Sequence, residues 1–215
     1  MNAADQPFQF STASYLTRVG AEKSLNISEL QAGLEKCSDA SIFYHTFHSM
    51  GRHHFLTEGF SNDFAQWALS ACNQPGLAEA LAGLDVRDYL SIADLRKDLR
   101  RIVEEFCSAH TQESQQAAFE PFHFEEAIEV TVPLGIEART LEEFRTGIRR
   151  LSHASLYFHF ISSRLRLHLR TNDFSLWLAD GLGMNSLGQQ LEQIDIYTNT
   201  LEGVREKMLA ITERS

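Results

Sequence analysis

The chain repeats itself, and this constrains its fold more than any other feature. Pro7-Phe8-Gln9-Phe10 returns 114 positions later as Pro121-Phe122-His123-Phe124. At the same offset Ser38-Asp39-Ala40-Ser41-Ile42-Phe43-Tyr44-His45 returns as Ser152-His153-Ala154-Ser155-Leu156-Tyr157-Phe158-His159. Asn62-Asp63-Phe64 with Trp67 returns 110 positions on as Asn172-Asp173-Phe174 with Trp177, so the first half carries four extra residues around Thr57 to Phe60. Leu77, Leu81 and Asp85 then match Leu187, Leu191 and Asp195, and Arg96 and Ile102 match Arg205 and Ile211. Agreement in order over nearly the whole length indicates one supersecondary unit used twice. The period is far longer than the roughly 20–50 residues of solenoid repeats. The expected product is a first helical repeat over 1–110 and a second over 115–215, packed as one compact body. They join at the polar stretch His110-Thr111-Gln112-Glu113-Ser114-Gln115-Gln116, where apolar periodicity lapses.

Each copy reads as a series of helices. Asn26 with Glu29, and Thr140 with Glu143, are start signals, and the second is a full capping box. Apolar residues follow at helical spacing: Ile27, Leu30 and Leu34, then Leu141, Phe144 and Ile148. A second helix is expected over 40–55 and 154–169, and a third from Asn62 and Asn172. A short fourth carries Leu77, Leu81 and Leu84, or Leu187, Leu191 and Ile194. A fifth is capped by Ser91 and Thr200. The Phe-x-Phe segments and Glu129-Val130-Thr131-Val132 read as a few short strands at most. The expected class is therefore mainly α, with internally duplicated helical units related by pseudo-two-fold symmetry, by analogy with isologous dimers.

The second helix is apolar around much of its circumference yet carries a polar stripe. His45 and Arg52 lie seven apart, and His159 and Arg166 repeat that spacing, which puts each pair on one helical face. Ser49 and Ser163 lie between them, and His48 joins the face in the first copy, where Ser162 stands in the second. Buried polar groups must be hydrogen-bonded, because an unpaired one costs about 1–3 kcal/mol. Two readings follow. In the structural one His45 and His159 bond the nearby Asp63 and Asp173. In the functional one His45, His48, Arg52, Asp63, His159, Arg166 and Asp173 hold a small polar or anionic ligand near the interface of the repeats. A variant of the second has His45 and His159 bind a metal. Trp67, Trp177, Phe64 and Phe174 read as core.

Composition sets outer limits. Against 19 Lys and Arg stand 29 Asp and Glu, a formal charge of −10, which repels phosphate backbones and argues against nucleic acid. No apolar run approaches the roughly 18 residues that suggest a membrane span. The start shows neither a basic stretch nor an apolar core, so no signal peptide is read there. Cys37, Cys72 and Cys107 are odd in number and far apart, which fits a reducing cytoplasm.

Several motifs fall away. His53-His54 is a poor chelate, since adjacent helical residues point apart. Gly181-Leu182-Gly183-Met184-Asn185-Ser186 lacks the remaining parts of a phosphate loop. No nucleophile elbow and no cofactor signature is present, so the cofactor is unknown. Arg164, Arg166 and Arg170 make the second copy locally basic.

Taken together, Pro-Phe-x-Phe at 7–10, the Ser41–His48 run, His54-Phe55-Leu56 and Asn62-Asp63-Phe64-Ala65 with Trp67 resemble a bacterial family catalogued as domain of unknown function 5752. So do Leu156–Phe160, Arg164-Leu165-Arg166-Leu167 and Asn172–Leu178 in the second half. The resemblance spans nearly the whole chain and implies no established activity. The first functional expectation is thus a cytoplasmic protein binding a small polar ligand or metal on the stripe. The alternative is a regulatory or scaffolding protein that engages another protein, with a purely structural stripe. Whether it is an enzyme stays open, and a homo-oligomer is compatible with either reading.

Overall fold

The computed structural model describes residues 3–48, 60, 62–196 and 198–214, without the side chains of His48 and Arg87. The chain runs β1 (Phe8–Ser24), α1 (Ile27–Lys36), α2 (Asp39–Phe43), α3 (Asp63–Ser70), α4 (Pro75–Ala82), α5 (Ile92–Ala109) and α6 (Thr111–Ser114). It continues as β2 (Phe122–Ala138), α7 (Leu141–Arg150), α8 (His153–Tyr157), α9 (Ser163–Arg166), α10 (Asp173–Asp180), α11 (Asn185–Glu192) and α12 (Leu201–Glu213). Among the described residues no helix is long and apolar enough to cross a membrane.

Helix starts follow the local chemistry. Asn26, Ser38, Asn62 and Ser91 cap α1, α2, α3 and α5 by accepting a backbone N–H, as Thr140, Ser152, Asn172 and Thr200 do for α7, α8, α10 and α12. Thr140 and Glu143 form the complete capping box. Pro75 opens α4 at its first turn, where its missing N–H costs nothing.

The sheet corrects the expected fold class. Instead of a mainly α chain of duplicated helical units with short strands, the protein is an α/β mixture. Two strands of 17 residues pair antiparallel in a two-stranded sheet. The physical reason lies in burial. Only the strand ends alternate inward and outward: Phe8 and Phe10 are buried around exposed Gln9, and Phe122 and Phe124 around exposed His123. The middle of each strand is exposed on both faces, with Leu16 at 62% and Val130 at 49%; there β1 writes no period-two pattern into the sequence, and the alternating Val130, Val132 and Leu134 of β2 face solvent instead of marking a buried face.

The long second helix is also modified. α2 passes into a π-helical turn over Tyr44–His48, and α8 into one over Phe158–Ser162 before α9 resumes. A wider turn rotates every later residue away from the face that a 3.6-residue period assigns to it. The rest of the helix expected over 40–55, including Arg52, Ser49 and His54, lies outside the described residues.

By its contacts the chain divides into residues 16–128 and residues 1–15 with 129–215. Each unit contains a Phe-x-Phe segment from the opposite half of the sequence. In the unit with residues 129–215, Phe8 packs on Phe144, Phe174 and Trp177 at 5.6, 5.3 and 5.7 Å between ring centres. Phe10 is fully buried there against Gly147 of α7, where a Cβ would stand 2.3 Å from its ring. In residues 16–128, Phe122 packs on Phe64 and Trp67 at 5.1 and 5.7 Å. Phe124 covers Gly33 of α1, whose Cβ would lie 2.4 Å from the ring. Glycine costs a helix about 0.5–1 kcal/mol against alanine, and here it makes room for an aromatic ring. The expected boundaries at 110 and 115 cut the chain differently, because they leave each Phe-x-Phe with the helices that follow it.

Candidate functional site

In the unit of residues 1–15 and 129–215 the polar stripe gathers around His159, which sits in the π-helical turn and is 3% exposed. The Ser11 backbone N–H donates to its Nε2 at 2.8 Å. Nε2 is therefore the lone-pair nitrogen, and Nδ1 carries the proton that it donates to Asp173 Oδ2 at 2.8 Å. Asp173 is the first residue of α10, after the Asn172 cap, where a carboxylate also meets the positive helix end. The rings of Phe158, Phe8 and Phe174 stand 4.7, 5.0 and 5.2 Å from the imidazole. His159 thus ties β1, the π-helical turn and α10 together through one neutral ring.

Arg166 completes this network. It donates to Asp173 Oδ2 at 2.9 Å and to Glu129 Oε1 at 3.2 Å, and its guanidinium lies 4.8 Å from the Phe158 ring centre. Ser162 donates to Glu129, while Ser163 donates to the His159 carbonyl at 2.6 Å and accepts from the Asp173 N–H at 3.3 Å. Burial among these groups pushes the Tyr15 phenol well above its usual range, so it stays protonated and uncharged near neutral pH.

Residues 16–128 hold the matching histidine. His45 is 3% exposed, accepts the Glu125 N–H at Nε2 over 2.8 Å and bonds Asp63 Oδ2 through Nδ1 at 2.9 Å. Phe122 and Phe64 stack around it at 4.7 and 5.4 Å. The His48 side chain and Arg52 lie outside the described residues, so only His45 and Asp63 of the four candidates in this half are placed.

This chemistry bears on each expected role. Metal binding at His45 and His159 conflicts with the geometry, because a metal needs a ring lone pair and both Nε2 atoms already accept backbone N–H groups. No group of three or more His, Cys, Asp or Glu suited to a metal occurs among the described residues. An anion beside Arg166 would meet Glu129 and Asp173, which outnumber the guanidinium two to one. The thiols are quiet as well. Burial raises Cys37 and Cys107, and pushes Cys72 up to about 12, so none is a poised thiolate at neutral pH.

The sequence reading missed Glu129 as the partner of Ser162 and Arg166, since 33 and 37 residues separate them and no local rule links them. It also missed a cleft of about 550 Å3 in the same unit. Pro7, Phe8 and Trp177 wall it, and Asp5, Asp173 and Asp180 line it. A signal for the cleft was present: where the repeat places Phe119 and Ser70, the other half has Asp5 and Asp180.

Fold and site together define an α/β protein whose buried histidines serve as neutral bridges between strand backbone and helix cap. A family model described as "Family of unknown function (DUF5752)" matches residues 5–213, and the chain belongs to that family. It is similar to the solved structure of OrfY from Thermoproteus tenax, with 27% identity, a TM-score of 0.85, and coverage of 99% of this chain and 97% of that one. No curated protein matches it.

Proposed function

We propose that this chain is a regulatory or scaffolding protein that engages another protein, and that its His–Arg stripe is structural. The observation that carries this reading is the saturated hydrogen bonding of His159: both of its ring nitrogens are committed within the fold, and the Asp173 Oδ2 it bonds is shared with Arg166, which also holds Glu129. Such a residue holds elements together and is not poised for chemistry. Two surface features support a protein partner. Val130, Val132 and Leu134 alternate along β2 and are 49%, 45% and 38% exposed, so one strand face offers apolar surface. The net charge of −10 suits a partner with a basic face. A bacterial source and a cytoplasmic setting, with its reducing conditions for three free cysteines, belong to the same proposal.

The test substitutes His159→Gln and His45→Gln singly and follows thermal unfolding, with native mass spectrometry of the untagged wild-type chain. Loss of a buried bond that strands its partner costs about 1–3 kcal/mol. At roughly 2–4 °C per kcal/mol for a chain of this size, the melting temperature should fall by several degrees. The wild-type chain should carry no bound small molecule or metal. Equally stable variants that lose a species retained by the wild type would defeat the proposal.

A further inference from the structure

We infer that the cleft in the unit of residues 1–15 and 129–215 binds an organic cation: an ammonium or guanidinium group on an apolar stem. The inference stands on its own observations and goes beyond the engagement of a protein partner.

Its volume, about 550 Å3, lies within the range of small-ligand sites. One wall is aromatic. The Trp177 and Phe8 rings meet edge to face at 5.7 Å, and Phe144 stacks on Trp177 at 5.2 Å. The Trp177 indole N–H is committed to the Gln6 carbonyl at 3.0 Å, which holds the ring in place as a wall. The titratable lining consists of Asp5, Asp173, Asp180 and His159, with no Lys or Arg. His159 is neutral by its hydrogen bonds, and Asp173 is shared with Arg166. Asp5 and Asp180 are exposed and enter no ion pair among the described residues. Arg139 reaches the Asp5 main-chain oxygen, not its carboxylate, at 3.0 Å. Aromatic faces and carboxylates both attract a cation, while the apolar wall accepts its stem.

The other unit provides an internal control. There Trp67 donates to the Glu120 carbonyl at 2.8 Å and meets Phe122 at 5.7 Å, the same construction as Trp177 with Gln6 and Phe8. Yet the positions matching Asp5 and Asp180 hold Phe119 and Ser70. The aromatic wall therefore stands without these carboxylates. Their negative charge is an addition confined to one cleft, and packing does not require it.

The two tryptophans make the test direct. The full chain is labelled with 15N, and its two indole signals are assigned with Trp67→Phe and Trp177→Phe. It is then titrated at constant ionic strength with agmatine, with putrescine and with N-acetyl-arginine amide, the last standing for a side chain presented by a polypeptide. The Trp177 signal should move saturably, with a dissociation constant on the order of 0.1–1 mM for ligands this small, while the Trp67 signal stays in place. The Asp5→Asn/Asp180→Asn double variant should melt like the wild type and bind at least tenfold more weakly. Tighter binding of agmatine or putrescine marks a free cation as the ligand, and tighter binding of the blocked arginine marks a partner's side chain. The inference is overturned if no probe moves Trp177 saturably, if both tryptophans respond alike, or if the double variant binds as well as the wild type.

Discussion

Pairing Phe10→Ala with Gly147→Ala tests the most consequential feature of the fold, the seating of each Phe-x-Phe among helices from the other half of the sequence. Phe10 is fully buried, with Phe8 at 4.8 Å, Phe144 at 6.1 Å and Gly147 directly beneath its ring. Truncating such a side chain costs about 3–5 kcal/mol from lost transfer and the cavity left behind. Gly147→Ala alone places a methyl 2.3 Å from the ring. Overpacking of that kind costs about 1–3 kcal/mol, offset by about 0.5–1 kcal/mol of better helix propensity. In the double variant the ring is gone, so the added methyl meets space and only its helical advantage remains. The two changes should couple by at least about 1 kcal/mol. Gly33→Ala serves as the control, because its methyl would strike Phe124 and should add to Phe10→Ala without coupling. Urea unfolding gives the free energies, and amide hydrogen exchange over residues 129–215 locates the loss. Coupling of Phe10 to Gly33, with additivity at Gly147, would refute the assignment of strand ends to units.

Two further outcomes follow from individual groups. The Tyr89 hydroxyl donates to Asp98 at 2.8 Å and, with Arg101, holds that carboxyl below its usual range. A depressed folded pKa stabilises above the unfolded pKa and fades as pH falls through the folded one. Tyr89→Phe should therefore raise the Asp98 pKa in a carboxyl NMR titration and trim stability above the acid range, with the difference vanishing at low pH. Burial raises all three thiols, so a disulfide reagent at pH 8 should modify Cys37 and Cys72 slowly in the folded chain and fast in denaturant. Rapid labelling of the native protein would contradict the assigned burial.

Much of the helical architecture was legible in advance because caps and helical periodicity act over three or four residues. Asn26, Asn62, Ser91, Thr140, Asn172 and Thr200 start helices wherever they sit, since the free N–H groups they satisfy belong to the next turn. The His45–Asp63 and His159–Asp173 bonds were within reach of the same reasoning, because both partners lie on elements the sequence announces. The strand lengths were not legible, for the exposed middle of β1 carries no alternation to read, and the alternating Val130, Val132 and Leu134 of β2 mark a strand without fixing its ends. The π-helical turns were hidden as well, since residues 44–48 and 158–162 keep the composition of an ordinary buried helix.

The exchange of Phe-x-Phe segments could only be decided in three dimensions. The two segments are nearly the same, and so are the Phe–Trp helices that could receive them, so local sequence favours neither pairing. Which aromatic pair enters which core depends on the path of two long strands running past each other. The same path brings Ser11 to His159 and Glu125 to His45, closing each imidazole with a backbone N–H 148 and 80 residues away, a contact no short-range pattern encodes.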